Sequence, residues 1–487
     1  MSLARRSITS TMWNVVANFI QLIVLFIRSV LLARLLPVEV FGIYTFATSV
    51  VILSSEFANF GMGGAFLHRS PETENEEQAA AIHFTLKLIF TLSWAVVLTG
   101  GAVVFASGQT QSAILTLTAT TAGLGMAQTA QLLLIRRVEH RRLAILQTLN
   151  ALGTTAVALS LAWQGVTLWA LLATDLVTLV LTLTFLYVWR PVWRPRLAWS
   201  SPTVYYYLRF GSRNFLASVL QRALDQVDDL WTGIFLGTTA LSYYSRAYTF
   251  ATYPRRILAA PIDAVASGTY AELKGNRHRL SQAFFRTNAI LVRSGFFLAG
   301  LLALIAPEFI RLLLGAKWLP MLEAFRLMLI FTLLDPIKMT VGNLFIAVGR
   351  PEQILQARTI QLVVLVVGLF ALGWTLGIVG VALAMDIMLV VGIATLLWRA
   401  RQFVSFSPVK LFGAPTVGLL AGLLLTHASV MLGQIQGSDW YTAIVKVIVF
   451  PLVYVGVLML LERRHVRSLL TEARSLFLTP IESKPGQ

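Results

Sequence analysis

Within an apolar run over residues 12–36, Asn14, Asn18, Gln21 and Arg28 recur at spacings of four, three and seven, which places all four on one helical face. Two hundred residues later the equivalent phases hold Asn214, Ser218, Gln221, Asp225 and Asp228, with Arg222 and Asp229 beside them. An Arg, Lys or Asp at the centre of a membrane-spanning helix costs about 2.5–3.5 kcal/mol on insertion scales, so such residues default to functional candidates. Two matching polar faces imply a wet cavity that receives a hydrophilic solute. The competing account is that these groups pair with one another as glue between helices. On that account Arg28 and Asp228, opposite in charge at equivalent positions, form a salt bridge. The two accounts can alternate within a transport cycle.

The cations define the chemistry. Arg246, Arg255, Arg256 and Asp263 share one segment, in which Pro254 interrupts the hydrogen-bond ladder. Arg286 and Arg293 lie one heptad apart on the next. A guanidinium offers paired donors in a plane and keeps its charge, which suits a diphosphate, so a membrane cavity rich in arginine points to an anionic solute. Arg286 also lies where it can snorkel to the inner surface, and that is its preferred reading. The substrate-binding candidates are therefore Asn14, Asn18, Gln21, Arg28, Asn214, Gln221, Arg222, Arg246 and Arg293. Among the acids, Asp335 stands three residues from Lys338 around Pro336 and reads as a local ion pair. Glu56, Asp175 and Asp386 have no partner evident in the sequence. Glu56, Asp225, Asp228 and Asp386 are the candidates for coupling to an ion gradient.

No enzyme is expected. The sequence has no Walker loop, no His-Glu-x-x-His and no nucleophile elbow. Its six histidines are dispersed and cysteine is absent, so neither a metal centre nor a cofactor is expected.

The elements that must position these residues are membrane helices. Apolar residues make up 57% of the chain and charged residues 13%, about half the usual share for a soluble domain. The apolar segments predict fourteen crossings, at 12–36, 40–66, 80–106, 111–135, 142–163, 166–189, 208–236, 240–268, 283–306, 319–347, 353–373, 377–398, 409–432 and 440–461. The first is too long for a signal-peptide core and reads as an uncleaved helix. A net charge of +17 argues for topology rather than nucleic acid, because the surplus is scattered between apolar segments. Arg136, Arg137, Arg141 and Arg142, then Arg190, Arg194 and Arg196, then later clusters at 274–279, 399–410 and 463–467, fall on alternate loops. Both termini are therefore expected in the cytoplasm. Two segments break the pattern: the acidic inner loop 71–77 and the basic outer segment 311–317.

A repeat at an offset of 200 residues pairs Asn14, Ala17, Gln21, Leu36, Tyr44 and Ala47 with Asn214, Ala217, Gln221, Leu236, Tyr244 and Ala247. It predicts an all-α protein of two six-helix lobes, 1–200 and 201–405, with two further helices at 406–463 and a cytoplasmic tail at 464–487.

Several short motifs extend this reading. They are Leu32-Ala33-Arg34-Leu35-Leu36-Pro37 before Phe41-Gly42-Ile43-Tyr44; Leu236-Gly237 with Ala240-Leu241-Ser242-Tyr243-Tyr244; Ala306-Pro307-Glu308 with Leu313-Leu314-Gly315 and Trp318; Gly349-Arg350-Pro351; and Gly377-Ile378-Val379-Gly380-Val381-Ala382. In this order they resemble the Wzx-type polysaccharide flippases of the multidrug, oligosaccharidyl-lipid and polysaccharide exporter superfamily, over residues 1–400. The resemblance implies translocation of undecaprenyl-diphosphate-linked oligosaccharide units across the bacterial cytoplasmic membrane for exopolysaccharide, capsule or O-antigen. It implies a cleft lined by helices 1, 2, 7 and 8, with membrane lipids, a polysaccharide polymerase and a chain-length regulator as partners. Trp13, Trp231, Tyr243, Tyr244 and Tyr248 are aromatics that could stack on sugars or simply pack. Two positions depart from the family's pattern: Asn59 stands where relatives usually carry Asp, and Asp225 replaces a basic residue, while Asp228 matches the family's acid. The rivals are a cation-coupled multidrug exporter of the same superfamily, disfavoured by the excess of Arg, and a membrane polysaccharide polymerase, disfavoured by short loops.

Overall fold

The computed structural model describes residues 20–69, 75–432 and 438–463, and between 254 and 266 it describes only some side chains. Helix follows helix, with no strand among the described residues. Helix α1 covers residues 20–35, α2 Val38–Asn59, α3 Met62–His68, α4 Glu76–Phe105, α5 Gly108–Arg136, α6 His140–Trp163 and α7 Leu168–Trp189. Then come α8 Ser201–Phe235, α9 Thr238–Leu273, α10 Arg277–Leu314, α11 Ala316–Ala347, α12 Glu352–Leu376, α13 Ile378–Ala400, α14 Pro408–Leu432 and α15 Asp439–Leu461. Because α2 and α3 are two pieces of one segment, each of the fourteen expected crossings has its helix.

Among the described residues, ten helices are long and apolar enough to cross a membrane. Helices α5, α8 and α9 match them in length, at 29, 35 and 36 residues, but hydroxyl, amide and charged side chains dilute their apolar character. The protein is thus an all-α polytopic membrane protein. Several helices outrun the apolar segments: α8 starts at Ser201 and α9 ends at Leu273, where 208 and 268 were expected. An apolar run marks only the stretch immersed in lipid; no proline stops the backbone at these ends, and Gly268 alone does not end α9.

The chain divides into two compact units. The first comprises Met1–Tyr253, Leu313–Met328 and Glu352–Gly392; the second comprises Pro254–Leu312, Leu329–Pro351 and Ile393–Gln487. In the first, α2 packs against α4, α5, α7 and α8. Its core is rich in alanine, with Ala79, Ala80, Ala127 and Ala130 around Phe66, Leu133 and Tyr207. Small residues let helices approach where lipid gives no hydrophobic drive to association. In the second unit α10, α14 and α15 pack on one another, with Phe450 seated against Gly300 and Gly422.

The second crossing breaks at Phe60 and Gly61, both in the left-handed region at φ 41° and 65°. Such a φ strains a phenylalanine. The reason lies on α8: a Cβ on Gly211 would stand 2.3 Å from the Phe60 carbonyl oxygen, and one on Gly61 would stand 2.7 Å from the Gly211 carbonyl oxygen. Backbone meets backbone here, and only glycines permit it.

The repeat also takes physical form. Thr45 donates to Ser245 at 3.3 Å across a sequence separation of 200, and a Cβ on Gly42 would meet the Oγ of Ser242. Equivalent positions of the repeat thus meet where α2 packs beside the start of α9.

Residues 71–74 of the acidic exception lie outside the described residues, while Glu76, Glu77 and the basic segment are held by specific partners. Glu76 pairs with Arg137 at 2.7 Å and Glu77 with Arg196 at 3.9 Å. On the basic segment, Lys317 donates to the carbonyls of Arg34 and Leu36, and Trp318 to that of Ala33. These satisfy the open carbonyls at the end of α1. Arg311 pairs with Asp439 at 3.3 Å.

Candidate functional site

The polar residues of the first unit gather in three places. At the first, α1 carries Arg28, whose Nη1 donates to Thr154 Oγ1 at 2.9 Å. Tyr44 donates to Asp175 at 2.9 Å, and both lie within electrostatic reach of Arg28. Arg246 on α9 stacks its guanidinium over Phe41, 4.8 Å from the ring centroid, within reach of Tyr253, Tyr44, Asp229 and Arg28. Its Nε has no hydrogen-bond partner among the described residues. Ser49 donates to Asp229 at 3.3 Å, while Tyr244 donates to Asp228. Among the described residues neither Arg28 nor Arg246 forms a salt bridge, so the Arg28–Asp228 bridge of the competing account does not form. Each arginine is steadied by a hydroxyl or a ring, which leaves guanidinium donors able to meet an anion.

The second place is a cavity of about 450 Å³ lined by Glu56, Asn214, Ser218, Gln221, Arg222 and Arg358. Arg222 Nε reaches Glu56 Oε1 at 2.9 Å, and Gln221 donates to Asp225 at 3.0 Å. Asn214 spends one amide hydrogen on the Phe210 carbonyl of its own helix. Gln21 is half-buried on α1, whereas Asn14, Asn18 and Trp13 lie outside the described residues. Arg358, near the start of α12 and within reach of Asp225, was not singled out from the sequence. A cation one turn into an apolar segment looks like an ordinary interfacial anchor, and nothing local distinguishes this one.

The third place centres on Lys87, which the sequence reading also missed. Lys87 is only 2% exposed on α4, donates to the Ala58 carbonyl at 3.2 Å and to Asn59 Oδ1, and lines a cavity of about 200 Å³ with Thr91, Trp94 and Gln128. Asn59 accepts from the ammonium without neutralising it. Glu56 is the acid within electrostatic reach.

The remaining candidates are placed differently. Arg293, in the second unit, is bound by two donors to Glu462 at 2.6 to 2.9 Å, and Tyr454 donates to its carbonyl at 2.8 Å. Asp335 holds the expected Lys338 at 2.6 Å and also Arg255 at 2.5 Å. Asp386 is buried on α13 with one carboxylate oxygen unpartnered among the described residues. The side chain of Asp263 lies outside the described residues. Trp231 and Tyr244 are buried, Trp231 among Phe235, Phe370 and Trp374, so both are packing residues rather than platforms for sugars. No three His, Cys, Asp or Glu side chains converge as metal ligands among the described residues.

Comparison with known proteins places this architecture. At the level of fold, the chain matches lipid II flippase MurJ in an inward closed conformation with a TM-score of 0.76, at 15% identity, over 94% of this chain and 100% of that one. It matches an inward-facing MATE-family multidrug resistance transporter of the MOP superfamily with a TM-score of 0.61, at 18% identity, over 79% and 94%. In sequence it is 24% identical to the lipopolysaccharide biosynthesis protein WzxC of Escherichia coli K12, over 84% of this chain and 82% of that protein. It is 26% identical to the succinoglycan biosynthesis transport protein ExoT of Rhizobium meliloti, over 63% and 62%. Residues 31–323 match the family described as polysaccharide biosynthesis protein. The Wzx-type resemblance read from the motifs therefore holds: this polytopic membrane protein belongs to the polysaccharide biosynthesis protein family.

Proposed function

We propose that the protein is a polysaccharide-export flippase that moves undecaprenyl-diphosphate-linked oligosaccharide units across the cytoplasmic membrane. The observation that carries this reading is the pair Arg28 and Arg246, two guanidiniums in membrane helices without a salt-bridge partner among the described residues. A diphosphate crossing a lipid core must exchange hydration for fixed donors, and these two arginines, with Asp175 and Asp229 near but not salt-bridged to them, supply such donors. The hydrophilic cavity at Asn214, Gln221 and Arg222 offers amides and a cation suited to sugar hydroxyls. Alternating access of this cationic cavity, by rocking of the lobes 1–200 and 201–405, carries the headgroup while the polyprenyl tail stays in lipid. Glu56, Asp225, Asp228 and Asp386 supply the coupling groups. Both termini face the cytoplasm, and a polymerase and a chain-length regulator act on the same pathway.

Relatives named for lipopolysaccharide and succinoglycan biosynthesis and a lipid II flippase of the same fold support the reading. The test is export in a strain deleted for the gene and complemented with Arg28→Ala, Arg246→Ala or the double variant. Loss of surface polysaccharide with normal membrane levels, and lipid-linked units retained on the cytoplasmic face, is expected. Full export by the double variant, or restored drug resistance in its place, would overturn it.

A further inference from the structure

A cavity of about 1380 Å³ in the second unit lies where the first turns of α10 and α14 meet the end of α15. Its charged wall is Arg277, Arg286, Arg293, Lys410 and Arg463 against a single acid, Glu462, and Arg293 occupies both oxygens of that acid. Counting those side chains, five cations and one carboxylate leave a formal charge of +4. Two helix N-termini add to the positive field. Asn276 caps α10 by accepting from Arg279 N at 3.1 Å, and Ser407 accepts from Lys410 N at 3.4 Å at the start of α14. The site is built rather than incidental. Ser281 accepts from Ser405 N at 2.8 Å, which pins the loop before α14 to α10, and Phe406 packs on Phe284.

The rim is apolar: Leu460 and Leu461 line the cavity and are exposed beside this charge. A soluble anion has no use for such a rim, whereas an amphiphile does. Three helix ends place the cavity at the lipid–water boundary, and its volume exceeds the roughly 300–1,000 Å³ of an ordinary small-ligand pocket. We propose that it binds the headgroup of a membrane lipid bearing two phosphates, with the acyl or prenyl chains lying along α14 and α15. Basic pockets between helices at a membrane boundary recognise such headgroups through summed charge. The proposal does not depend on the transport role of Arg28 and Arg246, which belong to the other unit.

Binding is measured on the full-length protein in detergent by native mass spectrometry, with tetraoleoyl cardiolipin, undecaprenyl diphosphate, phosphatidylglycerol and phosphatidylcholine as probes. Each two-phosphate probe that binds should do so more tightly than phosphatidylglycerol, with phosphatidylcholine weakest. Arg277→Gln with Lys410→Gln should weaken the two-phosphate lipids by about thirtyfold, the loss expected for two cations near a lipid headgroup. Arg277→Lys with Lys410→Arg keeps the charge and should bind as the unaltered protein does, separating lost charge from damaged folding. Cardiolipin binding alone identifies a resident phospholipid, and undecaprenyl diphosphate binding alone identifies the transported class; both support two-phosphate recognition. Equal binding of phosphatidylcholine, or no loss in the double Gln variant, would refute it.

Discussion

Arg246 in the first unit and Arg293 in the second are both arginines in membrane helices, yet their surroundings give them opposite uses. Arg293 is saturated: Glu462 takes two of its donor nitrogens, and the Ala289 carbonyl takes a third at 2.9 Å. Arg246 rests on the face of Phe41 with its Nε unpartnered and Asp229 within electrostatic reach. A guanidinium whose donors are spent is a brace. One held by a ring keeps donors for something that arrives. The residue type is the same in both, and only the partner decides.

The contrast breaks most visibly in transport. Arg246→Ala and Arg28→Ala should each cut export by more than about a hundredfold, as expected when charge-assisted contacts in a water-excluded site are removed. Membrane abundance should stay near that of the unaltered protein, because no carboxylate in a salt bridge is orphaned. Export rates from inverted vesicles alongside quantitative blotting test this, and a large fall in abundance would make Arg246 a brace like Arg293.

The converse change should strike stability first. Arg293→Ala leaves Glu462 without its partner in a half-buried position, and breaking such a pair costs about 3–5 kcal/mol. Arg293→Met with Glu462→Leu should cost much less, because both charges leave together. Unfolding in detergent with increasing denaturant separates the two. If the double variant is as unstable as the single one, packing rather than charge holds α10 to α15.

A smaller cost is expected at the broken crossing. Gly211→Ala puts a methyl 2.3 Å from the Phe60 carbonyl, and overpacking of this kind costs about 1–3 kcal/mol. A shift in melting temperature, without the loss of surface polysaccharide expected of Arg246→Ala, would mark the contact as architectural.

How much of this was legible beforehand follows from what each feature depends on. The helices of the fourteen expected segments were readable because lipid demands long apolar runs, a property of consecutive residues, and ten of the helices keep that character among the described residues. The break at Phe60 was not, because its cause is a glycine on α8 far along the chain. Lys87 was missed for the same reason: its acceptors, Ala58 and Asn59, belong to another helix. Thr45 and Ser245 meet at the offset of the repeat, a contact that the matched residues did not single out. The Arg28–Asp228 bridge of the competing account does not form, because Arg28 turns to Thr154 and Asp228 to Tyr244. The Asp335–Lys338 pair was legible because three residues apart on a helix is already contact.

The smallest effect sharpens the comparison from the other side. Glu76 and Arg137 form an ion pair at 2.7 Å, about as short as that of Arg293 and Glu462, but both side chains are about one-third exposed. Water already solvates these charges, so the pair is worth only about 0.2–1 kcal/mol and weakens as salt is added. Glu76→Gln should therefore lower stability by no more than that, with the difference vanishing near 1 M salt, where the screening length falls to about 3 Å. Arg293→Ala should remain destabilised under the same conditions, because its partner is shielded by protein rather than by ions. Denaturant midpoints for both variants across a salt series distinguish the two kinds of pair. Equal salt sensitivity would mean that burial does not separate brace from surface contact in this protein.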